Sequence, residues 1–287
     1  MRTRTRPPAD PERWLDEHGD EIDETDRGLV YDLRTLVDRR RVLGLFGGVG
    51  AAALLAACGA SGVTGATSSS AAASGDTGGE LTEVPEETAG PYPADGSNGP
   101  DVLDDSGIVR GDIRSSFGSS TTTAEGVPLE IRLTVRDAAS GDVAKGAGVY
   151  LWHCDRDGNY SLYSPAAANE NYLRGAREVD AGGTATFTSI FPGCYSGRWP
   201  HVHFEVYASL ADATSSGPIV RTSQIALPKE ACEAVYATAG YEQSVANLSR
   251  VSLAGDMVFG DDGAIHQLAT MSGDADEGYV AALTIGV

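Results

Sequence analysis

The stretch Tyr195-Ser196-Gly197-Arg198-Trp199-Pro200-His201-Val202-His203-Phe204-Glu205-Val206-Tyr207-Ala208 decides how the rest of the chain is read. From His201 onward it alternates. In a β-strand successive side chains point to opposite faces, so residues two apart share a face. Val202, Phe204 and Val206 then point into a core. His201 and His203 share the other face and can bind one metal ion. A phenol, Tyr195, and a guanidinium, Arg198, lie within nine residues of the second imidazole.

The same alternation recurs elsewhere. Leu129, Ile131, Leu133 and Val135 form one face of a half-buried strand. Gly148–His153 sets Val149 and Leu151 against Tyr150 and Trp152. Thr184–Ile190, Ile219–Leu227 and Tyr279–Ile285 also read as strands. Lys229–Tyr236 reads as a short helix, with a second at 247–251. Turn chemistry separates these segments, as in Asp155-Arg156-Asp157-Gly158-Asn159. Val84–Asp105, with Gly90-Pro91-Tyr92-Pro93, is too rich in Pro, Gly and Asp for regular structure and should wrap the surface. Short strands with few helices indicate an all-β fold: a β-sandwich with short helices and long irregular loops.

Not all 287 residues belong to that fold. The N-terminus is polar and charged up to Asp38. Arg39-Arg40-Arg41 follows, and then the apolar, Gly- and Ala-rich run Val42–Ala57, which is too short for a comfortable membrane span. This is the pattern of an export signal, and the paired arginines suggest the twin-arginine route. Leu55-Ala56-Ala57-Cys58 resembles a lipoprotein box, with Cys58 as the lipidated residue. The expectation is an exported protein, either anchored through Cys58 to the outer face of the cytoplasmic membrane or secreted. Residues 1–57 are therefore leader and signal, 58–82 a flexible Ser/Ala/Gly linker, and 83–287 one globular domain. A formal charge of −20 with no basic stripe makes nucleic acid a poor partner. The domain holds Cys154, Cys194 and Cys232. An exported protein permits a disulfide, and Cys194–Cys232 is the pairing expected, since it would staple the loop that carries Tyr195.

A trivalent hard cation can strip the proton from a phenol by its own charge. Two phenolates and one hydroxide would neutralise such an ion, and two imidazoles would complete its shell. A second tyrosine is therefore needed, and Tyr160 follows a strand and an Asp/Gly turn. The segments Trp152–Tyr160, Asp180–Phe187, Pro192-Gly193-Cys194-Tyr195 and Arg198–His203 together resemble, in order and spacing, the intradiol ring-cleaving dioxygenases, which include catechol 1,2-dioxygenase and protocatechuate 3,4-dioxygenase. The resemblance implies non-haem Fe(III) held by Tyr160, Tyr195, His201 and His203. It implies that Arg198 stabilises negative charge on the substrate ring, that Gln224 helps to steer it, and that Leu173 and Arg174 line the substrate cleft. The partners implied are a small aromatic diol and O2. Trp199-Pro200 departs from the Pro-Ala of the family and places a bulky ring beside Arg198.

Three rival readings remain at this point. Glu205 shares the strand face of the histidines and could complete a facial-triad Fe(II) site, as in cupin-like oxygenases. His153 or His266 could be the third ligand of a zinc hydrolase, although His153 is better read as a local hydrogen-bonding residue. The domain could also be a surface-anchored binding module without turnover. Tyr163, Tyr172 and Tyr207 are expected to serve packing or to form the pocket wall.

Overall fold

A computed structural model describes residues 81–287. The leader, the export signal, Cys58 and most of the linker lie outside the described residues. Two four-stranded sheets face each other. One has the order β4-β1-β8-β7 and the other β3-β2-β5-β6. Their strands are β1 (Pro128–Arg136), β2 (Gly148–Trp152), β3 (Arg174–Glu178), β4 (Thr184–Ile190), β5 (His201–Tyr207), β6 (Ile219–Ala226), β7 (Thr270–Asp274) and β8 (Gly278–Gly286). Helices are short: α1 (Leu210–Ala213), α2 (Lys229–Tyr236) and α3 (Glu242–Leu248). The all-β sandwich expected from the alternation is what forms. The helix expected at 247–251 starts earlier, at Glu242.

Leu129, Ile131, Leu133 and Val135 meet Val149, Leu151, Val202, Phe204, Val206 and Ile225 in the core between the sheets. Each is an alternate residue of its strand, so the pleat sorts the side chains to their two faces. In the first sheet the outward positions of β1 are exposed or half-buried. In the second sheet β2 and β5 are buried at every residue. An antiparallel sheet usually leaves one face to water. Here the outer face carries Tyr150, Trp152, Ala176 and Tyr207 and is covered by Ala94, Val102, Leu103 and Ile108 from the irregular segment before β1, and by Cys154 and Tyr160 from the loop after β2. That segment wraps the domain as its composition implied. Glu87 N–H donates to Thr222 O at the β6 edge, and Pro93 O accepts from the Tyr150 hydroxyl.

Register does the rest. Arg174 pairs with Trp152, Trp152 with His203, and His203 with Gln224. Directly opposed residues of antiparallel strands share a face. One row across four strands therefore sets these four side chains side by side under the loop cover.

The expected Cys194–Cys232 bridge is not formed. All three thiols of the described residues are free and buried. Cys194 Sγ faces the carbonyls of Tyr195 and Arg198, and Cys232 Sγ faces that of Leu227. Burial raises the pKa of each thiol and keeps it protonated.

Candidate metal centre

β5 delivers His201 and His203 to the covered face, 2% and 3% exposed. The two tyrosines come from loops. Tyr160 ends the turn after β2, where Asp155 accepts from the N–H groups of Asp157 and Asn159 and closes the loop. Tyr195 follows Pro192-Gly193. Gly193 N–H donates to Asp155 O, and a Cβ on Gly193 would stand 2.4 Å from Arg156 O. Only glycine lets the two loops approach this closely. The Pro-Gly of the motif thus brings Tyr195 up to Tyr160, with ring centroids 5.9 Å apart in an edge-on arrangement.

Four polar atoms converge. His201 Nε2 lies 3.1 Å from His203 Nε2, 3.2 Å from the Tyr195 hydroxyl and 3.4 Å from the Tyr160 hydroxyl. These contacts overfill one acceptor. His201 Nδ1 faces Trp199 O at 2.5 Å. A carbonyl only accepts, so the neutral ring carries its proton on Nδ1 and Nε2 is a single lone pair. Three groups crowd that lone pair. A cation among the four donors would take up all four lone pairs at once. Metal bonds of about 2.0–2.2 Å put adjacent ligand atoms ~2.9–3.5 Å apart, the range seen here. The residues therefore fit a metal ion.

Both imidazoles are neutral. Burial depresses His201 to about 3, with Arg198 adding repulsion, and burial drives His203 well below its ordinary value. Burial raises the pKa of the Tyr160 phenol, so its proton must be displaced by a ligand. Tyr195 is the one donor of the four that is only half-buried. The walls hold the set in place. Trp152 stacks parallel to His203, with centroids 5.0 Å apart and planes at 4°. Tyr92 covers Tyr160 at 4.8 Å. Gly90, at φ +71°, comes so close that a Cβ would meet His203 Cε1 at 3.3 Å.

Arg198 is 4% exposed. Its Nη2 donates to Gln224 Oε1 at 2.7 Å, and Gln224 in turn donates to Thr88 O. Gln224 thus sits where the sequence placed it. Sequence reading missed Asp256. It lies just past a 3-10 turn, Leu253–Gly255, and accepts from Arg198 Nε at 3.1 Å and from Trp199 N–H at 2.6 Å. Burial opposes the charge on each partner, but mutual attraction and these hydrogen bonds keep Asp256 ionised and Arg198 protonated.

Other expectations are corrected. Arg174 does not line a cleft. It is 1% exposed, and its guanidinium is tied to Pro93 O, the Tyr150 hydroxyl, and Ser161 O and Oγ. Leu173 is wholly buried, beside Ile190 and Tyr172. Both belong to the packing that seats the loop after β2. Trp199 turns away from the site, joins the main core, and donates from Nε1 to Leu227 O. Glu205 does not join the convergence, and its Oε2 accepts from the Tyr207 hydroxyl at 2.7 Å. His153 bonds Cys154 O and Ser189 Oγ, which is the local role expected. Tyr163 and Tyr172 bond Asn98 O and Asp155.

Comparison with known proteins follows the same lines. No family model matches the chain. A chlorocatechol 1,2-dioxygenase of Rhodococcus opacus is 42% identical over 62 residues, which is 22% of this chain and 24% of that protein's length. Among solved structures, an intradiol ring-cleavage dioxygenase from Tetranychus urticae superposes with a TM-score of 0.57 at 22% identity, covering 72% of this chain and 94% of its own. The chain has the intradiol ring-cleavage dioxygenase fold, as the motif spacing implied.

Proposed function

We propose that this chain is a non-haem Fe(III) enzyme that opens the ring of a catechol-type diol between its two hydroxylated carbons, with O2, to a cis,cis-muconate-type diacid. The carrying observation is the crowding of Tyr160, Tyr195 and His203 around the His201 lone pair. Two phenols and two neutral imidazoles form a hard, oxygen-rich donor set that suits a trivalent ion. Bound there, Fe(III) would activate the coordinated diol toward O2. All atoms of diol and O2 end in the product, so no reductant is needed.

The chain's own residues do the rest. Tyr195, the donor nearest solvent, is placed to take a proton from the entering diol as general base. Arg198 is held near both phenols and offers its N–H donors to the electron-rich ring, with Gln224 and Asp256 fixing its plane. Tyr92 over Tyr160 and Phe259 near His201 screen the centre from water. Export and lipidation at Cys58 would place this chemistry outside the cytoplasm.

Two measurements test the reading. Iron-loaded protein given catechol and isotope-labelled O2 should release a ring-opened diacid carrying both labelled atoms; an intact ring, or a single labelled atom, sinks it. Metal loading should release two protons, one from each phenol, because the imidazoles are already neutral. Apparent affinity should therefore fall as pH falls, by roughly a hundredfold per unit near neutrality. Affinity independent of pH between 6 and 8 (on the order of the physiological range) would contradict the phenolate ligands.

A further inference from the structure

We infer that Asp256 sets the charge class of the diol: it closes an ion pair on Arg198, leaves no buried cation free for an additional carboxylate among the described residues, and so selects uncharged over ring-carboxylated catechols. This rests on the dioxygenase reading above and adds to it a rule of selection.

The geometry is that of a built pair. Asp256 Oδ2 takes Arg198 Nε at 3.1 Å and Trp199 N–H at 2.6 Å. Oδ1 takes Arg198 Nη2 at 3.4 Å and the N–H groups of Val258 and Phe259 at 2.9 and 3.2 Å. Three backbone donors anchor the carboxylate before any substrate arrives. The side chains of the pair are 4% and 0% exposed, so solvent screens them little. A guanidinium paired in this way still donates hydrogen bonds, but its net charge is offset.

The other buried cation beside the site is also committed. Arg174 spends its donors on Pro93 O, Tyr150 and Ser161. Arg156, in the loop that carries Tyr160, pairs at 2.7 Å with Glu125, which is 75% exposed, so this surface pair is screened by solvent and is not part of the buried charge balance. Gln224, the other group on Arg198, is uncharged. A carboxylate on the ring would enter without a counter-charge, against the field of a chain with formal charge −20.

Calorimetric titration of the iron-loaded full chain without O2 tests this, using catechol and protocatechuate, which adds one ring carboxylate. Wild type should bind protocatechuate roughly 10-fold or more weakly than catechol, the effect expected of one uncompensated charge. Asp256→Asn frees the guanidinium and should bring the ratio toward one. Arg198→Gln leaves the carboxylate unopposed and should widen it, so the two variants move in opposite directions. A merely structural Asp256 would weaken both ligands alike. Equal binding by wild type overturns the inference even where a variant does not fold, and so does a ratio unchanged in either folded variant. Ring opening is assayed separately. Cleavage of catechol without discrimination sinks the charge rule alone, whereas the predicted ratios without ring opening sink the dioxygenase reading alone.

Discussion

The two sheets solve the same packing problem differently. The sheet β4-β1-β8-β7 buries one face and gives much of the other to water, so β1 alternates as a half-buried strand should. The sheet β3-β2-β5-β6 buries both faces of β2 and β5. Its outer face is aromatic and polar, and a layer of loops covers it. Buried polar groups are costly unless something satisfies them. The second sheet therefore tolerates His201, His203 and Gln224 only because loop residues and, on the account above, a metal ion meet their needs. The first sheet is scaffold, and the proposed chemistry lies on the covered face of the second.

Substitutions along β5 break this comparison most strongly. His203→Ala on the covered face should lose iron and turnover, together with the part of the melting temperature that bound iron supplies, read by metal analysis and thermal unfolding. Phe204→Ala, one residue on and facing the core, should do the reverse: it should cost about 3–5 kcal/mol of stability and keep the donor set. A variant pair that behaved alike would erase the distinction between the two faces. Arg198→Ala should keep iron and lower kcat by roughly 100- to 1000-fold, seen in steady-state rates at saturating diol.

The contrast also explains what was legible. Strands of the core between the sheets announce themselves by alternation, and Leu129–Val135 and Thr184–Ile190 were read from the sequence within a residue. β3, Arg-Gly-Ala-Arg-Glu, carries no alternating apolar pattern. It is a strand because Gly148–Trp152 pairs with it and loops cover it. β7, Thr-Met-Ser-Gly-Asp, is hidden for the same reason, since β8 supplies its partner. The four donors were visible because their spacing follows β5 and two Gly-containing turns. Asp256 was not visible, because an Asp in a turn looks the same whether it faces water or an arginine. Arg174 was expected at a cleft from the resemblance, and the burial of its guanidinium among Pro93, Tyr150 and Ser161 could not be read from its position alone.

Smaller changes sharpen the comparison. Gly90→Ala adds a Cβ against His203 at a positive φ. It should cost about 1–2 kcal/mol and shift the visible spectrum of iron-loaded protein, because the imidazole must give way. Arg132→Ala, in the exposed ion pair with Glu130 on the first sheet, should change stability by no more than about 0.5 kcal/mol and leave the spectrum untouched.

The most direct test of the central claim is the metal content and visible spectrum of the purified chain, taken with those of Tyr160→Phe. The account predicts stoichiometric iron and a phenolate-to-iron absorption band that weakens or shifts when the Tyr160 oxygen is removed. Zinc in place of iron, or iron whose spectrum ignores Tyr160→Phe, would contradict it.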